Sequence, residues 1–217
     1  MMSRFNKNAA LLIVDLQNDF CPEGALAVPG GDEIVPIVNR LIPYFQNVIA
    51  TQDWHPKGHL SFASQHRKKP GEVIELGGKE QVLWPDHCVQ GTHGARFSPG
   101  LNSAAFQKII QKGTDREVDS YSGFFDNHRQ KKTPLDDYLK KKNIEALFIA
   151  GLATDYCVKF TALDAAELNY KTYVVTDACR GIELNPGDVN WALETMKDKK
   201  ITLVTSQDVI NKSQSLM

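Results

Sequence analysis

The sequence predicts an α/β fold, a doubly wound, mostly parallel six-stranded sheet flanked by helices on both faces. Two observations carry this. Apolar runs of strand length recur at Ala9–Val14, Val48–Thr51, Lys108–Gln111, Ala146–Ala150, Thr172–Thr176 and Ile201–Val204. They are rich in Ile, Val and Leu without strict alternation, the pattern of strands buried on both faces. Helical patterns lie between several of them, and strands alternating with helices give a parallel sheet with right-handed crossovers.

Helical periodicity appears first at Ile34, Val38, Leu41, Ile42 and Phe45. Thr133-Pro134 before Asp136 and Asp137 supplies an N-cap, a first-turn proline and acids suited to the helix dipole. Val158–Leu168 and Val189–Lys197 give two more helices. The segment Trp54–Phe106 is too long for a crossover and rich in Gly, Pro and His, so it is expected to be a long irregular insertion with a functional role. The alternative for Gln65–Gln81 is a poorly ordered loop. One domain spanning 1–217 is expected, with the insertion at about 54–106.

Composition narrows the function. The 217 residues are 42% hydrophobic and 24% charged, enough for a proper core. The formal net charge is −1 with signs mixed throughout, so no basic footprint for nucleic acid or an anionic membrane is expected. Arg67-Lys68-Lys69 and Lys140-Lys141-Lys142 read as solvated surface. No apolar run reaches the length of a membrane span, and Met1 to Asn8 lacks the apolar stretch of a signal peptide. Cysteines at 21, 88, 157 and 179 form no CxxC pair, which argues for a reducing, cytoplasmic setting in which each is judged singly. Homo-oligomerisation is left open.

In open α/β sheets the ligand crevice lies beyond the carboxyl ends of the strands. Four strands end there in reactive groups: Asp15, then Asp53-Trp54-His55, then Lys112, and finally Gly151 to Cys157. Each has a bland reading alone, but four such groups on one edge are hard to dismiss. A strand, a turn and a helix place the Cys157 sulfur at a helix N-terminus, where the macrodipole favours thiolate. Lys112 would add a positive charge, and Asp15 would hold the lysine and take the thiol proton. Asp155 would oppose this, and is expected to cap the helix and face away. Asp53 and His55 share one side of an extended segment and suit one cation. Trp84-Pro85-Asp86-His87 offers a second histidine and His59 a third, a mixed N/O set suited to Zn²⁺ or another divalent metal at a catalytic site.

Together these residues resemble the nicotinamidases of the isochorismatase-like cysteine hydrolase superfamily. The matching segments are LLIVDLQNDF (Leu11–Phe20), TQDWHPKGHLSF (Thr51–Phe62), LWPDHCVQGT (Leu83–Thr92), QKGTDREVDSYSGF (Gln111–Phe124) and the long run from Gly151 to Ala178. The resemblance implies a catalytic triad of Asp15, Lys112 and Cys157 and metal ligands Asp53, His55 and His87, with His87 favoured over His59 as the third. It implies a cis Leu152–Ala153 peptide that turns the N–H groups of Ala153 and Cys157 into an oxyanion hole. Phe20, Trp84 and Tyr121 would line the pocket, and His93 would be incidental. The implied reaction converts nicotinamide to nicotinic acid and ammonia through a thioester, in NAD salvage. Three rivals stand beside it: a related cysteine amidase acting on a carbamoyl or ureido substrate, a hydrolase driven by metal-bound water, and a catalytically silent binding domain.

Overall fold

The computed structural model describes residues 5–214, so the first four residues of the Met1 to Asn8 segment lie outside it. Strands β1 (Ala9–Val14) and β2 (Asn47–Asp53) open the main sheet. A separate hairpin comes next, β3 (Val73–Leu76) and β4 (Lys79–Val82), before β5 (Lys108–Lys112), β6 (Ala146–Leu152), β7 (Lys171–Arg180) and β8 (Thr202–Val204) complete the sheet. The main sheet has six strands in the order β5-β2-β1-β6-β7-β8, and every pair is parallel. The chain builds outward from β1 to β5, then crosses back to lay β6 on the other side of β1. The strand order therefore reverses at β1 and β6, where a crevice opens at the carboxyl edge.

Side chains alternate across a strand, so β1 feeds two cores at once. Ala9, Leu11 and Ile13 join Phe148 and Ala150 of β6 and Val38 and Leu41 of helix α1 (Val35–Leu41) on one face. Ala10, Leu12 and Val14 join Ile149 on the other face, under helices α2 (Leu135–Lys141), α3 (Lys159–Glu167) and α4 (Asp188–Asp198). There Leu139, Ala162, Ala165 and Met196 meet the sheet. Both faces are covered, which is why these strands read as continuous apolar runs.

Several local expectations are corrected. The Ile34–Phe45 pattern is not one helix: 3₁₀ turns at Gly31–Ile34 and Ile42–Tyr44 flank α1, and Pro43 blocks continuation of its hydrogen bonds. Strand β7 runs on to Arg180 because its pairing slips, Ile149 facing Val174 while Gly151 faces Cys179. A fifth helix, α5 (Ser206–Gln214), has no counterpart among the expected ones. Its start is a reciprocal cap: the Thr205 N–H reaches Asp208 Oδ2 at 2.8 Å while the Asp208 N–H reaches Thr205 Oγ1 at 3.2 Å.

The insertion is also less irregular than expected. A 3₁₀ turn at Ala63–His66 precedes the β3–β4 hairpin, whose two-residue turn is Gly77-Gly78. Both glycines have positive φ, 59° and 79°, as the favoured hairpin turns demand. Among the described residues no helix is long and apolar enough to cross a membrane.

Candidate active site

The carboxyl edge brings the separated groups together. Gly151 carries φ 129°, and a Cβ there would lie 2.0 Å from the Val14 carbonyl oxygen, so only glycine fits where β6 leaves the sheet beside β1. The next peptide, Leu152–Ala153, is cis. The chain then enters α3 through one π-helical turn, Thr154–Val158, which holds the buried Cys157.

Lys112, at the end of β5, reaches under this turn with its side chain fully buried. Its Nζ lies 2.9 Å from Asp15 Oδ2, 3.0 Å from Asp53 Oδ1, 2.8 Å from the Ser120 carbonyl oxygen and 3.5 Å from Cys157 Sγ. Burial alone would favour a neutral amine, but Asp15, Asp53 and Cys157 outweigh it and hold the lysine pKa well above its usual value. Asp15 sits at φ 45°, in the left-handed region that aspartate tolerates, and Thr51 Oγ1 donates to its Oδ1 at 2.7 Å. Burial pushes the Asp15 pKa up despite the lysine.

Burial pushes the Cys157 thiol well above its ordinary range; Lys112 opposes this, and Asp15, Asp53 and Asp119 reinforce it. A carboxylate with a raised pKa beside the same ammonium is suited to take a proton from the sulfur. Asp155 does not cap α3. Its carboxylate accepts the N–H groups of Ile182 at 3.0 Å and Glu183 at 2.7 Å, tying a pocket-wall segment to the turn that carries Cys157. Cys21, Cys88 and Cys179 are buried, and burial raises each thiol pKa.

Next to the lysine lies a cluster of imidazoles and carboxylates. Asp53 Oδ2 is 2.9 Å from His55 Nε2 and 3.3 Å from His87 Nε2. Burial disfavours the Asp53 charge, yet His55 and Lys112 hold its pKa well below the usual value. His55 Nδ1 lies 2.9 Å from the Gly113 carbonyl, an acceptor, so its proton sits there and Nε2 faces the cluster. Likewise His87 Nδ1 lies 2.8 Å from the Pro85 carbonyl. Gly113 has φ 63°, and a Cβ on it would stand 2.5 Å from His55 Cε1, so glycine is needed for this approach. His59, beside Ser61 at 2.8 Å, is held neutral by burial and by the nearby His55, its pKa lowered to about 4.

Two ligand groups emerge among the described residues: Asp53, His55 and His87, and His55, His59 and Asp119. The Nε2 atoms of His55 and His59 are buried without a hydrogen-bond partner, as atoms that await a cation are. The residues fit a divalent metal ion. Asp119 is absent from the expected ligands, although it stands two positions before Tyr121, the spacing that puts both on one side of an extended segment.

Phe20, Trp84 and Tyr121 all line the pocket above Cys157, and Leu26, Tyr156 and Ile182 join them without any signal in the sequence that marks them out. Trp84 Nε1 donates to the Tyr121 hydroxyl at 3.0 Å, and Tyr156 packs edge-on against Trp84 at 4.8 Å between centroids. Phe20 stands edge-on to His87 at 5.5 Å. His93 lies elsewhere, beside Asn18.

The carboxyl edge of a parallel α/β sheet thus carries a buried Cys-Lys-Asp constellation beside a His/Asp cluster. The isochorismatase domain model matches residues 9–208. The chain is 53% identical over 203 residues to a nicotinamidase of Escherichia coli strain K12, covering 92% of this chain and 95% of that protein. A nicotinamidase and pyrazinamidase structure from Acinetobacter baumanii superposes with TM-score 0.93 at 47% identity, over 95% of this chain and 100% of the other. The pyrazinamidase of Pyrococcus horikoshii in complex with zinc gives TM-score 0.75 at 39% identity, over 91% and 99%. The chain belongs to the isochorismatase family, and within it to the nicotinamidases.

Proposed function

We propose that this chain is one hydrolase domain that converts nicotinamide to nicotinic acid and ammonia, with Asp15, Lys112 and Cys157 as its catalytic residues. The observation that carries the reading is Lys112 Nζ, 2.9 Å from Asp15 Oδ2 and 3.5 Å from Cys157 Sγ beneath an aromatic pocket. Asp15 takes the thiol proton as Cys157 Sγ attacks the carboxamide carbon. The oxyanion is held by the N–H groups of Ala153 and Cys157, donors whose loss typically costs about 100- to 1000-fold in rate. Asp15 then gives its proton to the departing nitrogen, which leaves as ammonia with the acyl group on sulfur. Water, relieved of a proton by Asp15, hydrolyses the thioester to the carboxylate and restores the thiol. Lys112 stays charged throughout and steadies the carboxylate and the sulfur in turn.

Asp53, His55 and His87 would hold the metal, read as Zn²⁺ from the mixed N/O donors and the zinc-bound relative. Bound there, the ion supplies a Lewis-acidic anchor for the pyridine nitrogen. Phe20, Trp84 and Tyr121 bound the slot that receives the flat ring. The product, a pyridine carboxylate, places the enzyme in NAD salvage, and four unpaired cysteines suit the cytoplasm.

Ammonia release from a panel of amides tests this. Nicotinamide should be turned over far faster than benzamide, which lacks the ring nitrogen, and faster than carbamoyl or ureido compounds. Preference for a carbamoyl substrate would overturn the assignment. Acid quench during turnover should trap an acyl group on Cys157; a burst of product without it would favour attack by metal-bound water.

A further inference from the structure

We infer that Asp155 is a positioning residue that governs which ring substituents the slot admits, by fixing the Ile182 wall to the turn that carries Cys157. The inference rests on the reading of the slot as the seat of the nicotinamide ring, and it names what sets the slot's width. Asp155 is buried, and each of its oxygens accepts one backbone N–H: Oδ1 from Ile182 at 3.0 Å and Oδ2 from Glu183 at 2.7 Å. No ion pair holds it among the described residues. Burial of a carboxylate without a cation is costly. Two charge-assisted bonds to main-chain N–H groups offset that cost, and their effect is to fix the path of the backbone at residues 182 and 183.

The strap between β7 and α4 is shaped for this contact. A Cβ at Gly181, just after the last residue of β7, would stand 2.2 Å from Val189 Cγ2 and 3.1 Å from Asp155 Oδ1, so glycine lets the backbone close on the carboxylate. Glu183 takes φ 55°, a left-handed conformation that its bond to Asp155 helps to hold. Its own Oε1 accepts the Gly187 N–H at 2.9 Å, at the N-cap of α4. The strap is thus tied at one end to the Cys157 turn and at the other to a helix. Ile182 lines the slot together with Ala153, Tyr156 and Cys157, all three from that turn or its N-cap. One side chain therefore sets the spacing between a wall of the slot and the sulfur. Reacting atoms must stand about 3–3.5 Å apart, and a misplacement of about 1 Å can cost about 100-fold in rate. A strap held for stability alone would leave the choice among substrates untouched.

The test compares nicotinamide with each of its ring C-methylated isomers, as ratios of kcat/KM measured on one preparation of full-length holoenzyme. Such a ratio does not depend on how much of the protein is folded. Wild type should reject at least one ring methyl, since Ile182 closes one side of the slot. Asp155→Asn keeps one acceptor but turns an amide N–H against a backbone N–H, and Ile182→Ala removes the wall itself. Both should relax the same discrimination by about 10-fold, the lower end for one methyl-sized group in a pocket. With Ile182 already alanine, Asp155→Asn should change the ratio little further, because the two residues act as one unit. Unchanged ratios in either single variant overturn the inference, as does a wild type indifferent to every ring methyl. If Asp155→Asn does not fold, Gly181→Ala, which drives the strap off the carboxylate, decides in its place by the same ratios. A wild type inert toward nicotinamide removes the reading of the slot itself; an active wild type with ratios unmoved in Asp155→Asn removes only the role of Asp155.

Discussion

Lys112 and Asp53 form a buried ion pair of 3.0 Å, so the cation beside Cys157 is also tethered to the His/Asp cluster. The Asp15-Lys112-Cys157 group and the Asp53-His55-His87 group share one charge balance. Changes made in either should be felt in the other.

Lys112→Met is the direct probe. It removes the cation that lowers the Cys157 pKa, so the thiol pKa should rise further and the iodoacetamide alkylation profile should move to higher pH. The loss should appear in kcat more than in KM, because reacting groups are damaged rather than ring contacts. Breaking a buried pair also leaves Asp15 and Asp53 uncompensated, at a cost of about 3–5 kcal/mol in urea denaturation. An alkylation profile identical to wild type would show that Lys112 does not tune the thiol.

Gly113→Ala adds one methyl where 2.5 Å separates it from His55 Cε1, at φ 63°. The imidazole must move, so metal content measured by elemental analysis should fall, and activity should fall with it. The Asp53→Ala/His55→Ala double variant should lose the metal altogether. Full metal content in either would count against the cluster as assigned.

Acid should destabilise metal-free protein through His59. Its folded pKa of about 4 lies below the unfolded 6.5, so the neutral form is favoured in the fold. The contribution is fully present above pH 6.5 and drains away as pH falls toward 4, at up to about 1.4 kcal/mol per pH unit. Urea midpoints of chelator-treated protein should decline across that window. His59→Gln should flatten the decline, and an equally steep one in that variant would refute the attribution.

Tyr170→Phe tests a polar contact far from the chemistry. The Tyr170 hydroxyl donates to Asp136 Oδ1 at 2.8 Å, joining the start of β7 to α2. Its removal should cost about 1–3 kcal/mol, the range for leaving a buried acceptor short of a donor, while nicotinamide turnover stays near wild type. A large fall in kcat without loss of stability would be the contrary result.

The legibility of each element in the sequence depends on the range of the interactions that define it. The strands of the main sheet are legible because burial on both faces writes unbroken Val, Ile and Leu runs, and β1 begins and ends where its run does. Asp15, Asp53, His55, Lys112 and Cys157 are legible as well, since strand-end position is a local property. The β3–β4 hairpin escapes notice although Gly77-Gly78 signals its turn, because its short strands are largely exposed and show no apolar run. Asp119 and Asp155 are hidden for another reason. Their meaning lies in what they face across the chain, and no spacing along it records that. The upward push on the Cys157 thiol pKa is hidden likewise: burial and three carboxylates converge on the sulfur from separate segments.

The reversal of strand order between β1 and β6 has a bearing on how the protein comes into being. Its reactive groups arrive from the ends of four strands, and the sulfur comes after the central one laid down late in the chain. Cys157 meets Asp15 and Lys112 only through the docking of β6 against β1, since those two residues lie at the ends of β1 and β5. The grouping is thus a product of closure, complete only when the sixth strand lies against the first. Modification of that sulfur by a substrate-like electrophile would then report completed folding rather than the mere presence of the polypeptide.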